Sequence, residues 1–379
     1  MPAQDASSGS RDAQLRARVL LGRLAEPGTA SVGRLVAEIG PEAVVAALRR
    51  GQSGLRCAPD LTARLSTADP DVDLERATQA GARVVIPGDR EWPTQVDDLG
   101  DRRPLLLWVR GAGDLRLLAL RSVSVVGARA ATAYGVAVAA TLAEGLARAT
   151  ATVVSGGAFG IDAAAHRAAL AVDGATIAML ACGVDVAYPR AHDALLARIA
   201  DDGLLVSEAP PGAAAHKHRF LQRNRLIAAL TRGTVVVEAA LRSGSLRTAR
   251  EAAALGRPVL GVPGPVTSMM SAGVHDLIRQ GEATLVTAAD EVLEVAGDYG
   301  TDLAAVRSGP ARPTDDLTAT QRRVLDALPV RTSASVSALS ASAGVATPTL
   351  LASLGVLAAR GLAQQDAAGW RISGAPRRA

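Results

Sequence analysis

Residues 123–135 read VSVVGARAATAYG. A short apolar run ends on Gly127, and a helix-forming stretch follows within a few residues. That pattern describes a strand passing through a tight turn into a helix. The same rhythm recurs downstream, with strand-sized runs at 152–154, 176–180, 204–206, 234–237, 258–262 and 284–286. Stretches between them are long enough for helices, and Leu246, Ala249 and Ala253 carry the spacing of one helix face laid on a sheet. Alternation of this kind over residues 122–296 predicts an α/β fold, doubly wound around a mostly parallel sheet. Ligands of such sheets bind beyond the carboxyl ends of the strands.

Outward from this core the signals change. Toward the N-terminus, residues 14–50 are helical with short breaks at AEPGTAS and EIGPEA. Residues 58–113 are mixed, with a helix expected over 73–81, a strand at 83–86 and a second apolar run at 105–109. Toward the C-terminus, 299–316 is a linker rich in Gly, Pro and Asp. Three helices are expected beyond it at 320–328, 335–341 and 347–359. A hairpin carrying Trp370, over 361–373, completes a winged-helix pattern. The expected organisation is a helical N-terminal module (1–75), a Rossmann-like core (76–298), the linker (299–316) and a winged-helix domain (317–374).

Composition narrows the function classes. The 379 residues are 49% hydrophobic and 21% charged, as in a soluble globular protein. No apolar run approaches the ~20 residues that span a bilayer, so no membrane segment is expected. The opening MPAQDASSGSRDAQLRAR lacks the apolar stretch of a secretory signal, which makes the cytoplasm the expected location. Cys57 and Cys182 cannot by themselves form a disulfide framework or a four-ligand zinc site. Neither a metal nor a cofactor is expected. The net charge of +4 tilts the partner toward an anion. Of the 41 Lys and Arg residues a single one, Lys217, is lysine. With arginine so dominant, the surviving ammonium either marks a position where a compact point charge has a use or is a chance survival.

Four segments carry chemistry. In the first loop, Gly127 allows a tight turn, Arg129 adds charge, and the next helix is expected to offer its N-terminal N–H groups to an anion. Arg129 stands where a dinucleotide fingerprint needs its second glycine, which disfavours NAD. The second loop, SGGAFGID, brings Ser155, Gly156 and Gly157 to a strand end as a phosphate-loop candidate, though without the lysine of a Walker loop. Asp162 and His166 beyond it read as a helix cap and a local hydrogen bond.

The third segment, HKHRFLQRNR at 216–225, sets Lys217, Arg223, Asn224 and Arg225 beside Phe220. Cations next to a rare aromatic suit single-stranded nucleic acid, where charges hold phosphates and bases stack on rings. On a helix Arg223 and Arg225 point about 200° apart, so one can face a phosphate while the other pairs with a carboxylate. His216 and His218 lack the companion ligands of a metal site. The fourth segment sets Ser243, Gly244 and Ser245 ahead of a helix between Arg242 and Arg247, where they can cap the helix, bind a phosphate or do both. No nucleophile elbow or HExxH motif is present, so no catalytic residue is expected.

Taken in order, VGAR with AYG, SGGAFGID with His166, CGVDVAYP, Ser207-Glu208, FLQRNR, SGSLRTA and GRPVLGVPG resemble the DNA-processing protein A (DprA or Smf) family. The resemblance covers most of the chain. It implies a helix-hairpin-helix-like or SAM-like N-terminal module, an extended Rossmann-like core and a terminal winged helix. The implied function is non-enzymatic: binding and protecting incoming single-stranded DNA and loading the RecA recombinase during natural transformation. The family's basic pocket maps to Arg129, Lys217 and the RNR segment, and its dimer contact to Leu277 and Ile278. This chain departs from the family at Ala128, where a serine is usual, at Leu221, where a proline is common, and at Glu282, where a small residue is usual. A further departure is the presumed recognition helix, 347–359, which has no Lys or Arg to read a duplex. The alternative is a phosphoribohydrolase-like enzyme on a related core, with Glu208, Glu238 or Glu251 acting on a ribose. Its P-G-G-x-G-T-x-x-E signature matches SGSLRTARE poorly.

Overall fold

The computed structural model describes residues 3–51, 60–305, 309 and 312–374, so Cys57 lies outside the described residues. Contacts divide the chain into two compact units, Met1–Ala304 and Ala305–Ala379.

The first unit is organised by a nine-stranded sheet. Its strands in chain order are β1 (Ala82–Val85), β2 (Leu107–Arg110), β3 (Ser122–Val126), β4 (Thr152–Ser155), β5 (Thr176–Met179), β6 (Leu204–Ser207), β7 (Gly233–Val236), β8 (Val259–Gly261) and β9 (Thr284–Leu285). Their order across the sheet is β1-β2-β6-β5-β4-β3-β7-β8-β9. The seven strands from β6 to β9 in that order pair parallel, while β1 and β2 extend one edge antiparallel. From β3 the chain winds one way through β4, β5 and β6, then returns to β7 on the other side and continues outward. The winding therefore reverses between β3 and β7, which is where doubly wound sheets place their ligands.

Side-chain alternation along the strands builds two cores. Val123 and Val125 of β3 pack with Leu142, Leu146 and Ile161 from the helices Ala133–Arg148 and Ile161–Ala171. Val126 of β3 and Val236 of β7 join Leu226, Leu246 and Ala249 on the opposite face. The helices there are Lys217–Leu230 and Ser245–Ala254. The helix face at 245–254 runs through Leu246, Thr248, Ala249 and Ala252. Ala253, expected on it, is exposed because the buried stripe is centred one residue earlier.

The N-terminal helices belong to the same unit. Ala3–Leu24 buries Val19 against Trp108 of β2, and its Leu20, Leu21 and Leu24 pack with the helices Ala30–Ile39 and Pro41–Arg49. The helix expected from residue 73 begins at Pro70. Asp69 caps it by accepting from the Asp71 N–H at 2.9 Å, and Pro70 brings a φ already suited to a first turn.

The second unit has its own core of Val324, Leu339, Leu350, Leu354 and Leu357. These come from the helices Ala319–Ala327, Val336–Ala343 and Thr347–Ala359. The antiparallel pair β10 (Ala363–Asp366) and β11 (Gly369–Ile372) closes it. No single described helix is long and apolar enough to cross a membrane.

Candidate functional site

The loops that leave β3, β4 and β7 converge where the winding reverses. Between them and the helix Lys217–Leu230 lies a cavity of about 480 Å³. Its lining includes Gly127 and Arg129 from the first loop, Ala158 and Asp162 from the second, and Phe220, Arg223 and Asn224 from the helix. Arg242, Ser243, Gly244 and Ser245 close the far side. Three arginines thus face a single carboxylate, so the cavity is electropositive.

Each cation is placed differently. Arg129 is exposed and stacks its guanidinium 4.9 Å above the Phe220 ring, a cation–π contact that fixes both groups. Arg223 is buried and donates to the Met179 carbonyl at the end of β5, while its Nε finds no acceptor among the described residues. Burial lowers its pKa to about 10, opposed by the charge of Asp162. Burial in turn raises the Asp162 carboxyl, against the pull of Arg223 and the N–H groups of Ala158 and Gly156. Asn224 donates to the Gly244 carbonyl at 3.3 Å, tying the helix to the serine loop. Within that loop the Ser243 and Ser245 hydroxyls bond each other at 2.7 Å.

Two of the expected phosphate loops are closed by the protein's own carboxylates. At the N-terminus of helix Ala133–Arg148, Glu238 accepts from the Thr132 N–H at 2.9 Å and from its hydroxyl at 2.6 Å. Thr132 in turn caps Gly135 at 3.1 Å. The anion position that the sequence offers to a ligand is filled from β7's end. In the second loop Asp162 accepts from the N–H groups of Gly156 and Ala158, and the buried Ser155 hydroxyl donates to the Val125 carbonyl at 2.7 Å. Ser155, Gly156 and Gly157 do not line the cavity. Gly156 also leaves room for the Arg223 guanidinium, which a Cβ there would displace. The N–H groups of Thr132, Gly156 and Ala158 therefore have carboxylate partners within the chain, as buried N–H groups generally find a partner.

Arg225 does not reach the cavity; it is 1% exposed and donates to both oxygens of Glu208, at 2.7 and 2.9 Å. Lys217 begins the helix, is exposed and lies outside the lining of the cavity. Leu277 is 5% exposed in the core of its own chain, and Ile278 packs over Gly261 of β8, since the sheet itself needs this cover. Leu277 is thus buried, while Ile278 keeps part of its side chain exposed. The carboxylates of the enzymatic alternative are also engaged away from the cavity: Glu208 with Arg225, Glu238 with Thr132, and Glu251 with Arg102 at 2.9 Å.

Sequence reasoning passed over two aromatic residues at this edge. Tyr188 lies 5.4 Å from Phe220, ring centre to ring centre, and Phe159 meets His192 edge-on at 4.6 Å. Their loops were legible, but a ring's exposure depends on neighbours distant in the chain.

Residues 83–297, more than half of the chain, match the family described as DNA recombination-mediator protein A. A protein of Mycobacterium tuberculosis named as a DNA processing protein DprA is 46% identical over 371 residues, covering 95% of each chain. The X-ray structure of DNA processing protein A from Streptococcus pneumoniae superposes with a TM-score of 0.62 at 35% identity, over 73% of this chain and 95% of that one. The DNA processing protein A of Helicobacter pylori, whose structure concerns a single-stranded DNA binding mode, gives 0.51 at 30% identity, over 56% of this chain and 94% of that one. By sequence along nearly its whole length and by the fold of its sheet, the chain belongs to the DNA recombination-mediator protein A family.

Proposed function

We propose that the chain binds single-stranded DNA at the cavity between β3 and β7, protects it, and delivers it to a RecA-type recombinase during DNA uptake. The observation that carries this reading is the electropositive cavity at the reversal of winding, with Arg129 held over Phe220 at its mouth. Arg129, Arg223 and Arg242 supply charge for phosphates, and the exposed turn at Gly244 lets a strand approach closely. Lys217 adds a cation on the flank. The described binding of single strands by the Helicobacter pylori relative supports the same polymer here. Bases in a duplex are stacked and paired, so the aromatic edge favours the open strand.

Two finer elements belong to the proposal. The C-terminal helices and hairpin act as a winged helix that serves partner contacts, because its helix Thr347–Ala359 has no basic side chain for a duplex. Two copies pair through the helix Ala272–Arg279, with Leu277 and the half-buried Ile278 as the interface candidates. Fluorescence anisotropy of the full chain, with single-stranded and duplex oligonucleotides across a salt series, tests the central reading. A strong, salt-sensitive preference for the single strand is expected. Equal or negligible binding to both overturns it. Faster nucleation of RecA on a strand coated with single-strand-binding protein tests the mediator step.

A further inference from the structure

The three tyrosines and two phenylalanines of this chain are not spread evenly. Phe220, Tyr188 and Phe159 gather at one edge, and Tyr188 and Phe159 are 44% and 47% exposed. Trp92 and Trp108, by contrast, are buried in the core. The positions of the exposed rings are fixed by their neighbours. Arg129 covers Phe220, and the Tyr188 ring leans against Phe220 at 49°. His192 meets Phe159 at 64° and donates from Nδ1 to the Gly157 carbonyl at 3.0 Å. That bond joins the loop carrying Tyr188 to the loop carrying Phe159, next to Ala158 in the cavity wall. Arg190, exposed and without a carboxylate partner among the described residues, follows Tyr188 by two positions.

We propose that Tyr188 and Phe159 extend the cavity into a stacking row, on which the bases of nucleotides neighbouring the one in the cavity rest. The inference depends on the reading that the cavity holds single-stranded DNA, and it names the surface along which the strand continues. A base laid on a ring needs a flat, preoriented, solvent-facing partner, and these two side chains provide it beside a cation for the linking phosphate. Stacking of this kind tolerates every base, so the row favours an open strand without selecting its sequence.

The test uses the full chain and an oligothymidylate of about 20 nucleotides, read by anisotropy, beside the same strand with abasic residues. Tyr188→Ala and Phe159→Ala should each raise Kd about tenfold, within the range of one lost base stack. The dependence of log affinity on log salt should keep its slope, since no cation is removed. Tyr188→Phe should bind as the wild type. On the abasic strand the wild type should weaken, and the alanine variants should bind no worse than it does. Equal wild-type affinity for thymidine and abasic strands overturns the row, a result that needs no variant to fold. Alanine variants indistinguishable from wild type on the thymidine strand do the same. If Lys217→Ala weakens binding while both aromatic variants are silent, the row alone fails. If the wild type binds no single strand, the proposed function fails with it.

Discussion

Arg225 and Arg223 stand two residues apart on one helix, yet Arg225 is clamped to Glu208 on the side facing the N-terminal helices while Arg223 faces the cavity. The turn of the helix separates them, and burial makes Arg225 a structural group. Removing one partner of a buried ion pair leaves the other charge uncompensated. Glu208→Gln should destabilise the chain by about 3–5 kcal/mol, measured by urea unfolding, and leave the salt dependence of DNA binding unchanged in the folded fraction. Arg225→Ala should cost a similar amount.

Gly28, at φ +72°, lies directly against that pair, where a Cβ would sit 2.7 Å from the Arg225 Nε. Gly28→Ala should therefore lower stability by about 1–3 kcal/mol, through both a left-handed backbone and the displaced guanidinium. In an Arg225→Ala background the cost of the same change should shrink, and a double-mutant cycle measures the difference.

Lys217 is exposed and has no ion-pair partner among the described residues, so Lys217→Ala should leave unfolding unchanged. Its loss should weaken single-strand binding and flatten the log–log salt slope by about 0.7 if it neutralises one phosphate. An unchanged slope removes it from the footprint.

Acid should loosen the contact between the N-terminal helices and the helix Lys217–Leu230. The Arg219 guanidinium, which donates to Glu26 at 2.9 and 3.0 Å, lowers the Glu26 carboxyl to about 2 against the effect of burial, and His218 adds to the lowering. A carboxylate with a depressed folded pKa contributes stability that is full above its ordinary value of 4.5 and lost as pH falls toward 2. Glu26→Gln should remove this part of the acid sensitivity, read from the pH dependence of the thermal midpoint.

His166 acts over a higher window. Thr176 donates to the Val153 carbonyl, so it accepts from Nδ1 of His166 at 2.8 Å, and burial holds the neutral ring at a pKa of about 3. The unfolded chain takes up a proton near 6.5 and the folded one does not. Stability should fall as pH drops from 6.5 toward 3. A His166→Gln variant should be flatter across that range, whatever its stability at neutral pH.

Much of the architecture was legible because strand alternation and glycine turns are local properties. Each parallel strand of the core appears within a residue or two of its expected position, and Thr347–Ala359 begins and ends as read. The glycine and serine loops were found for the same reason, along with Arg129, Phe220, Arg223 and the serine turn at 243–245 as groups of one neighbourhood. The sequence alone determined the α/β rhythm, the family resemblance and the excess of cations over carboxylates at the strand ends. Only the tertiary structure decided which of those groups remain free. Glu238 closes the first loop from 106 residues away, and Glu208 captures Arg225 from 17 away. Hydrogen bonds between distant residues form when folding brings them within about 3 Å, and such a distance cannot be read from spacing in a chain.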